Sequence, residues 1–160
     1  MREALLMFGF NLVLVGVLSA LGWKFFLASE QNTKGIADLL KNPLELFFKV
    51  VVIAPLLEEV VFRGVPSLLL RRVWRVRNRQ STSDAWYWTL VIASSLLFAI
   101  MHGINDQGTI HLPLPQLVVG FVLWRTAINR GLRYSILMHA TYNSVVVGLV
   151  LLAGNAVKAP

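Results

Sequence analysis

The sequence predicts an all-α, polytopic membrane protein, a bundle of about five transmembrane helices that forms a single domain over residues 1–160. Of its 160 residues, 56% are hydrophobic and only 14% are charged, whereas a soluble domain has roughly 25% charged residues. The mean hydropathy of +0.65 agrees with this class. The apolar residues also form long runs, and most of these approach the roughly 20 residues that cross a bilayer core.

Apolar runs along the chain define the predicted helices. The first run is longer than the apolar core of a signal peptide, which has roughly 7–15 residues, so we expect it to be retained as a helix. The third follows Ser83 and Asp84, which suit a helix N-cap. The fourth begins with prolines, which a helix start tolerates, and it is short enough to be tilted, half-buried or re-entrant. The runs cover residues 4–28, 44–70, 86–102, 113–128 and 134–153.

The distribution of arginine predicts how the chain is oriented in the membrane. Arginines crowd residues 71–79 and flank the connection between the fourth and fifth runs, whereas residues 103–112 contain none. The positive-inside rule places the arginine-rich connections, and with them the N-terminus, in the cytoplasm. These loops account for the net charge of +7, so the expected partner is a lipid bilayer and not nucleic acid. We expect a multi-pass protein of a bacterial cell membrane.

A cluster of three charged residues, Glu58, Glu59 and Arg63, lies in the middle of the second run. A charged side chain inside a bilayer is costly and marks a functional site by default. Glu59 and Arg63 are four residues apart and therefore share a helix face, where pairing lowers the cost of burying either charge. Glu58 is turned by about 100° from Glu59. We expect a structural Glu59–Arg63 ion pair, with Glu58 as the reactive carboxylate.

Two histidines and an asparagine extend this site. His102 ends the third run, and His139 and Asn143 share one face of the fifth. A carboxylate and a histidine together can position and deprotonate a water molecule, and a second histidine with an amide can donate hydrogen bonds to an oxyanion. These groups favour peptide hydrolysis within the membrane.

A zinc site is the alternative chemistry, with Glu58, His102 and His139 as ligands. The His-Glu-x-x-His signature of many zinc proteases does not occur in the sequence, and three separate helices would have to supply the ligands. Cysteine is absent, which excludes disulfides, thiolate nucleophiles and cysteine-ligated metal sites.

Three motifs follow one another along the chain: Glu58-Glu59-x-x-x-Arg63, Phe98-x-x-x-His102 and His139-x-x-x-Asn143. In this order they resemble the CPBP family, the intramembrane protease superfamily that contains the type II CAAX prenyl endopeptidases and the bacterial Abi-type proteins. The resemblance covers about residues 50–150, the expected catalytic core, and includes Pro55 before the glutamates. It implies a glutamate-type intramembrane endopeptidase that acts on a membrane-embedded or membrane-associated peptide or protein.

The resemblance also implies a role for each site residue. Glu58 would be the general base, acting with His102 on the hydrolytic water, and no cofactor would be needed. His139 and Asn143 would form the oxyanion site, while Glu59 and Arg63 would support the first glutamate. Two alternatives stay open: a zinc-dependent intramembrane protease that uses the same residues as ligands, and a non-catalytic membrane scaffold or immunity-type protein that retains the old site.

Overall fold

The computed structural model describes residues 2–22, 42–69, 83–104 and 110–158. Across these residues it is all-helical and contains no strand, which confirms the predicted all-α class. We number the helices α1 to α5 in chain order. They are α1 (Arg2–Ala20), α2 (residues 43–69), α3 (Ser83–Gly103), α4 (Leu114–Arg130) and α5 (Leu132–Lys158).

The predicted runs and the observed helices agree to within five residues, except at the end of the first run. Helix α1 ends at Ala20, and the end of the first predicted run lies outside the described residues. The arginine-rich residues 71–79 also lie outside them, so the orientation in the membrane stays a prediction. Helix α3 begins at Ser83, so Ser83 and Asp84, which the sequence predicted to cap the helix, are its first two residues.

Helix α2 widens into π-helical turns on both sides of its glutamates, at Phe47–Ile53 and Val60–Gly64. At the end of the first of these segments the N–H of Ala54 donates to the carbonyl of Lys49, five residues back. The α-helical segment between them, Ala54–Glu59, has Pro55 as its second residue, and a proline has no N–H and crowds the preceding turn. Such π-helical turns are rare, and they are frequent at functional sites.

The main core cluster joins α1, α3, α4 and α5 through apolar side chains. A second cluster packs the beginning of α2 against the second half of α5, while the glutamates of α2 contact the first half of α5. Helices α2 and α5 therefore run antiparallel. The main cluster consists of Met7, Phe98, Val119, Leu123 and Met138.

A buried asparagine ties α1 to the rest of the bundle. The Asn11 amide donates to the Pro115 carbonyl on α4 at 3.3 Å and to the Tyr142 hydroxyl on α5 at 3.1 Å. Hydrogen bonds of this kind between helices in a membrane contribute on average about 0.6 kcal/mol each. They determine which side of α1 faces the bundle.

By length and composition, one helix in the described part of the chain, at Ala85–Gly103, can span a membrane. A shorter apolar stretch covers Leu6–Val17. The prediction of about five spanning helices is thus supported only in part. Helix α2 carries three charges in its central turns. Helix α4 has 17 residues, which extend about 26 Å and fall short of the roughly 30 Å of a hydrocarbon core.

Candidate active site

Three helices bring one carboxylate and two imidazoles together. Glu58 projects from α2, His102 from the last turn of α3 and His139 from α5. The Glu58 Oε2 atom lies 3.9 Å from His102 Nε2 and 3.7 Å from His139 Nε2. Both distances exceed those of a direct hydrogen bond, and Oε2 is buried without a hydrogen-bond partner among the described residues. The three polar atoms therefore surround one small space.

Glu59 is fully buried beside this space and has a partner on every side. Its Oε1 atom lies 3.1 Å from Arg63 Nη1 and 3.0 Å from His139 Nδ1. Its Oε2 atom accepts a hydrogen bond from the Ser135 hydroxyl. A buried carboxylate is tolerated only when it is paired and hydrogen-bonded, and these contacts meet that need. The Glu59–Arg63 contact expected from the spacing is therefore one of three that hold this carboxylate.

His139 lies between the two glutamates, with one ring nitrogen facing each. A carboxylate only accepts hydrogen bonds, so we assign a proton to Nδ1, which faces Glu59 at 3.0 Å. That contact fixes the orientation of the imidazole, as a carboxylate partner does for many functional histidines. The other nitrogen, Nε2, is thereby directed toward Glu58.

The guanidinium of Arg63 is buried beneath the site. It pairs with Glu59, and its Nη2 atom donates to the Gly120 carbonyl on α4 at 3.3 Å. Its central carbon lies 4.4 Å from the centre of the Phe98 ring, a cation–π contact. The ring centroid of Phe98 lies 4.5 Å from that of His102. Phe98 thus supports His102 and contacts the structural arginine at the same time.

Asn143 is on the same face of α5 as His139, but its amide contacts the backbone of α2. Its Nδ2 atom donates to the Val50 carbonyl at 2.8 Å. In an α-helix that carbonyl would accept from the N–H of Ala54, which instead donates to Lys49. The next nitrogen along the chain belongs to Pro55 and carries no hydrogen. Asn143 therefore supplies a hydrogen bond that the proline leaves missing.

Comparison with protein families gives a match over most of the chain. The family model described as Type II CAAX prenyl endopeptidase Rce1-like matches residues 40–145. The chain belongs to this Rce1-like family. The matched range contains every site residue predicted from the sequence, and it confirms the family that the three motifs indicated. The Rce1-like family consists of integral membrane proteins, and membership makes an intramembrane protease the class of enzyme. Comparison with curated proteins and with solved structures gives no match.

Two close approaches in this Rce1-like chain depend on glycine. A Cβ atom on Gly103 would lie 2.1 Å from the carbonyl oxygen of His111, so only glycine lets the end of α3 pack against the following segment. A Cβ atom on Gly120 would lie 3.1 Å from Ser95 Cβ. The close packing of α3 and α4 at this point places the Gly120 carbonyl within reach of Arg63.

Sequence reasoning missed two partners of the site. Ser135 had a signal, since it precedes His139 by four residues on α5 and so shares its face. The Gly120 carbonyl had none, because a backbone acceptor leaves no mark in the side-chain pattern.

Metal binding by Glu58, His102 and His139 was the alternative chemistry that the sequence left open. No group of three or more His, Cys, Asp or Glu side chains there is arranged to hold a metal ion. Glu58, His102 and His139 are close to one another without forming such a group.

Proposed function

We propose that this chain is a multi-pass intramembrane endopeptidase that hydrolyses a peptide bond of a membrane-associated substrate. In this proposal Glu58 and His102 activate the water. One observation carries it: a buried glutamate oxygen without a hydrogen-bond partner among the described residues faces the Nε2 atoms of two histidines at 3.7 and 3.9 Å. Such an atom is costly to bury, and Rce1-like membership supplies the reaction class.

The two sides of the space suit the two protons of a water molecule. His102 Nδ1 lies 2.8 Å from the Phe98 carbonyl oxygen, which only accepts, so this nitrogen carries the proton and Nε2 of the neutral ring is an acceptor. A water molecule at about 2.8 Å from Glu58 Oε2 and His102 Nε2 would donate to both. Glu58 takes one proton as the oxygen attacks the peptide carbonyl, and it returns this proton to the leaving amine.

His139 is the group placed to stabilise the oxyanion that forms in this step. Its Nε2 atom faces the same space at 3.7 Å from Glu58, and Glu59 holds the ring in position from the opposite side. With a proton on both ring nitrogens, His139 donates from Nε2 to the developing charge while Nδ1 keeps its contact with Glu59. Asn143 has two amide hydrogens, of which the contact with Val50 uses one, so the other remains for the oxyanion.

The outer surface supports the multi-pass arrangement. Each of the five helices exposes large apolar side chains, among them Val13, Leu68, Met101, Ile128 and Leu137, whereas Glu59 and Arg63 are 0% exposed. A surface that is apolar on all sides suits lipid and does not suit water. The single domain, the bacterial cell membrane and the cytoplasmic N-terminus complete the proposal.

The experiment that tests the function is cleavage of peptides in proteoliposomes. Purified protein is incubated with a library of membrane-associated peptides and with one CAAX peptide in prenylated and unprenylated forms. Products are identified by mass spectrometry. Cleavage that disappears in the Glu58→Gln variant supports the protease. If no peptide is cleaved by the wild-type protein, a scaffold or immunity-type role takes its place.

Asn143→Ala should both destabilise the fold and slow turnover. Leaving the partly buried Val50 carbonyl without a donor costs about 1–3 kcal/mol, and loss of an oxyanion donor costs about 10²–10³ in turnover. The background Pro55→Ala separates the two effects, because an alanine at this position has an N–H that can donate to the Val50 carbonyl in place of Asn143. In that background the stability loss of Asn143→Ala should shrink while the turnover loss persists. Equal stability losses in both backgrounds would contradict the assignment of Asn143 to the proline gap.

Strong chelators should leave cleavage unchanged, and the purified protein should carry no stoichiometric zinc. The reason is that Glu58, His102 and His139 act on water directly in the proposed mechanism. Activity is measured before and after dialysis against chelator, and the metal content by elemental analysis. A zinc enzyme would lose activity on chelation and regain it on addition of zinc, and that recovery would replace the metal-free mechanism with the zinc alternative.

A further inference from the structure

A groove between α1 and α4 is apolar in one part and polar and cationic at one end. It encloses about 600 Å³, within the range of small-molecule sites, roughly 300–1,000 Å³. On α4 it is lined by Val118, Val122, Arg125 and Asn129, which lie about 140–200° around the helix from Gly120. It is therefore on the side of α4 that faces away from the arginine beneath the active site.

The two ends of the groove differ in chemistry. Leu6 and Phe10 of α1 and Val118 and Val122 of α4 make one part apolar. Toward the end of α4 the lining becomes polar and cationic. Asn11 contacts Pro115 at the start of α4, so α1 runs antiparallel to α4 and the cationic end lies near the first turns of α1. The polar lining consists of Arg125, Thr126, Asn129 and Arg130.

We propose that this groove binds an anionic glycerophospholipid. Its phosphate would lie at Arg125 and Arg130, and an acyl chain would lie along the apolar part. A guanidinium presents a planar fork that matches phosphate, and basic pockets between membrane helices bind the head groups of acidic lipids. A zwitterionic head group would bring its own cation toward two arginines, which disfavours it.

Other occupants fit less well. An extended peptide binds by pairing with exposed backbone groups, but both walls are helices whose backbone groups are paired within the helix. A water-soluble anion would leave the apolar half uncovered. The proposal does not depend on proteolysis, because none of the residues lining the groove belongs to the proposed catalytic set.

The test measures which lipid stays bound. The Glu58→Gln protein is reconstituted in nanodiscs that contain equal amounts of phosphatidylglycerol and phosphatidylcholine with identical acyl chains. It is then released into mild detergent and analysed by native mass spectrometry. At about 1 kcal/mol for each arginine near the head groups, retained phosphatidylglycerol should exceed phosphatidylcholine by about tenfold or more. Lipid retention is measured without a cleavage reaction and on a variant designed to be inactive. Failure of the lipid proposal is therefore distinguishable from failure of the proposed protease.

Variants locate the site. Arg125→Gln combined with Arg130→Gln should abolish the preference, whereas Arg133→Gln, an exposed arginine on α5 outside the groove, should keep it. Val122→Trp should fill the apolar part and lower the retention of both lipids, which provides a second variant if the double change does not fold. The proposal fails if the Glu58→Gln protein with both groove arginines intact shows no preference for phosphatidylglycerol. It also fails if the double arginine variant retains the preference, or if soluble glycerol phosphate displaces the lipid.

Discussion

Glu58→Gln should abolish peptide cleavage while leaving the fold and the thermal stability of the protein nearly unchanged. The amide keeps the shape of the side chain but cannot accept the proton of the hydrolytic water, and loss of a positioned general base costs typically about 10²–10⁴ in rate. Glu58 Oε2 makes no hydrogen bond among the described residues that the fold would lose. Burying a neutral amide is also less costly than burying a carboxylate.

The measurement compares initial rates of peptide cleavage in proteoliposomes and melting temperatures in detergent. Glu45→Gln is the matched control. Glu45 lies near the start of the same helix, where its exposed side chain pairs with that of Lys49. The control should cleave at the rate of the wild type. Turnover by Glu58→Gln within about tenfold of wild type would remove Glu58 from the role of base, since such a loss is below that range.

Arg63→Ala should destabilise the protein by about 3–5 kcal/mol, because removing one partner of a buried pair leaves the other charge uncompensated. Arg63 and Glu59 are both 0% exposed. Among the described residues Glu59 would then keep His139 and Ser135 as partners, and the Gly120 carbonyl would lose its side-chain donor. We expect a lower melting temperature in detergent and a lower yield of folded protein.

Lys49→Ala is the matched control for this prediction. Glu45 and Lys49 form an ion pair with the same spacing in the same helix, but their side chains are 42% and 57% exposed. Solvent screens the attraction within an exposed pair of this kind, so the control should melt close to the wild type. Adding Glu59→Gln to Arg63→Ala should restore part of the lost stability by removing the stranded charge. A stability loss for Arg63→Ala no larger than that of the control would mean that the pair does not hold the site.

The helices and the pairing within α2 were predictable because both depend on residues close in sequence. Long apolar runs predict helices in a membrane regardless of their neighbours, and four-residue spacing places Glu59 beside Arg63 on any regular helix. The family was also predictable, because its three motifs are short patterns that can be found in the sequence without knowledge of the fold. The roles of the motif residues in catalysis remain predictions that the variants above test.

Interactions between helices were beyond such reasoning. Position along the sequence does not show that His102, in the last turn of α3, and His139, in the first half of α5, meet at Glu58, because the start and tilt of each helix determine that meeting. The same holds for Ser135 and Gly120 as partners of the buried pair. Asn143 shows the limit best, since its contact with Val50 depends on how Pro55 changes the hydrogen bonding of a different helix.

The sequence by itself determined an all-helical chain, a family and a set of polar residues in an apolar setting. The reason is that hydrophobic runs and helical spacing are local properties. Only the tertiary structure decided which carboxylate is left without a hydrogen-bond partner in the described part of the chain and which is held by an arginine, a serine and a histidine. Glu58 and Glu59 are adjacent and chemically identical, and they differ because packing of α3, α4 and α5 around α2 surrounds one with partners and turns the other toward two histidines.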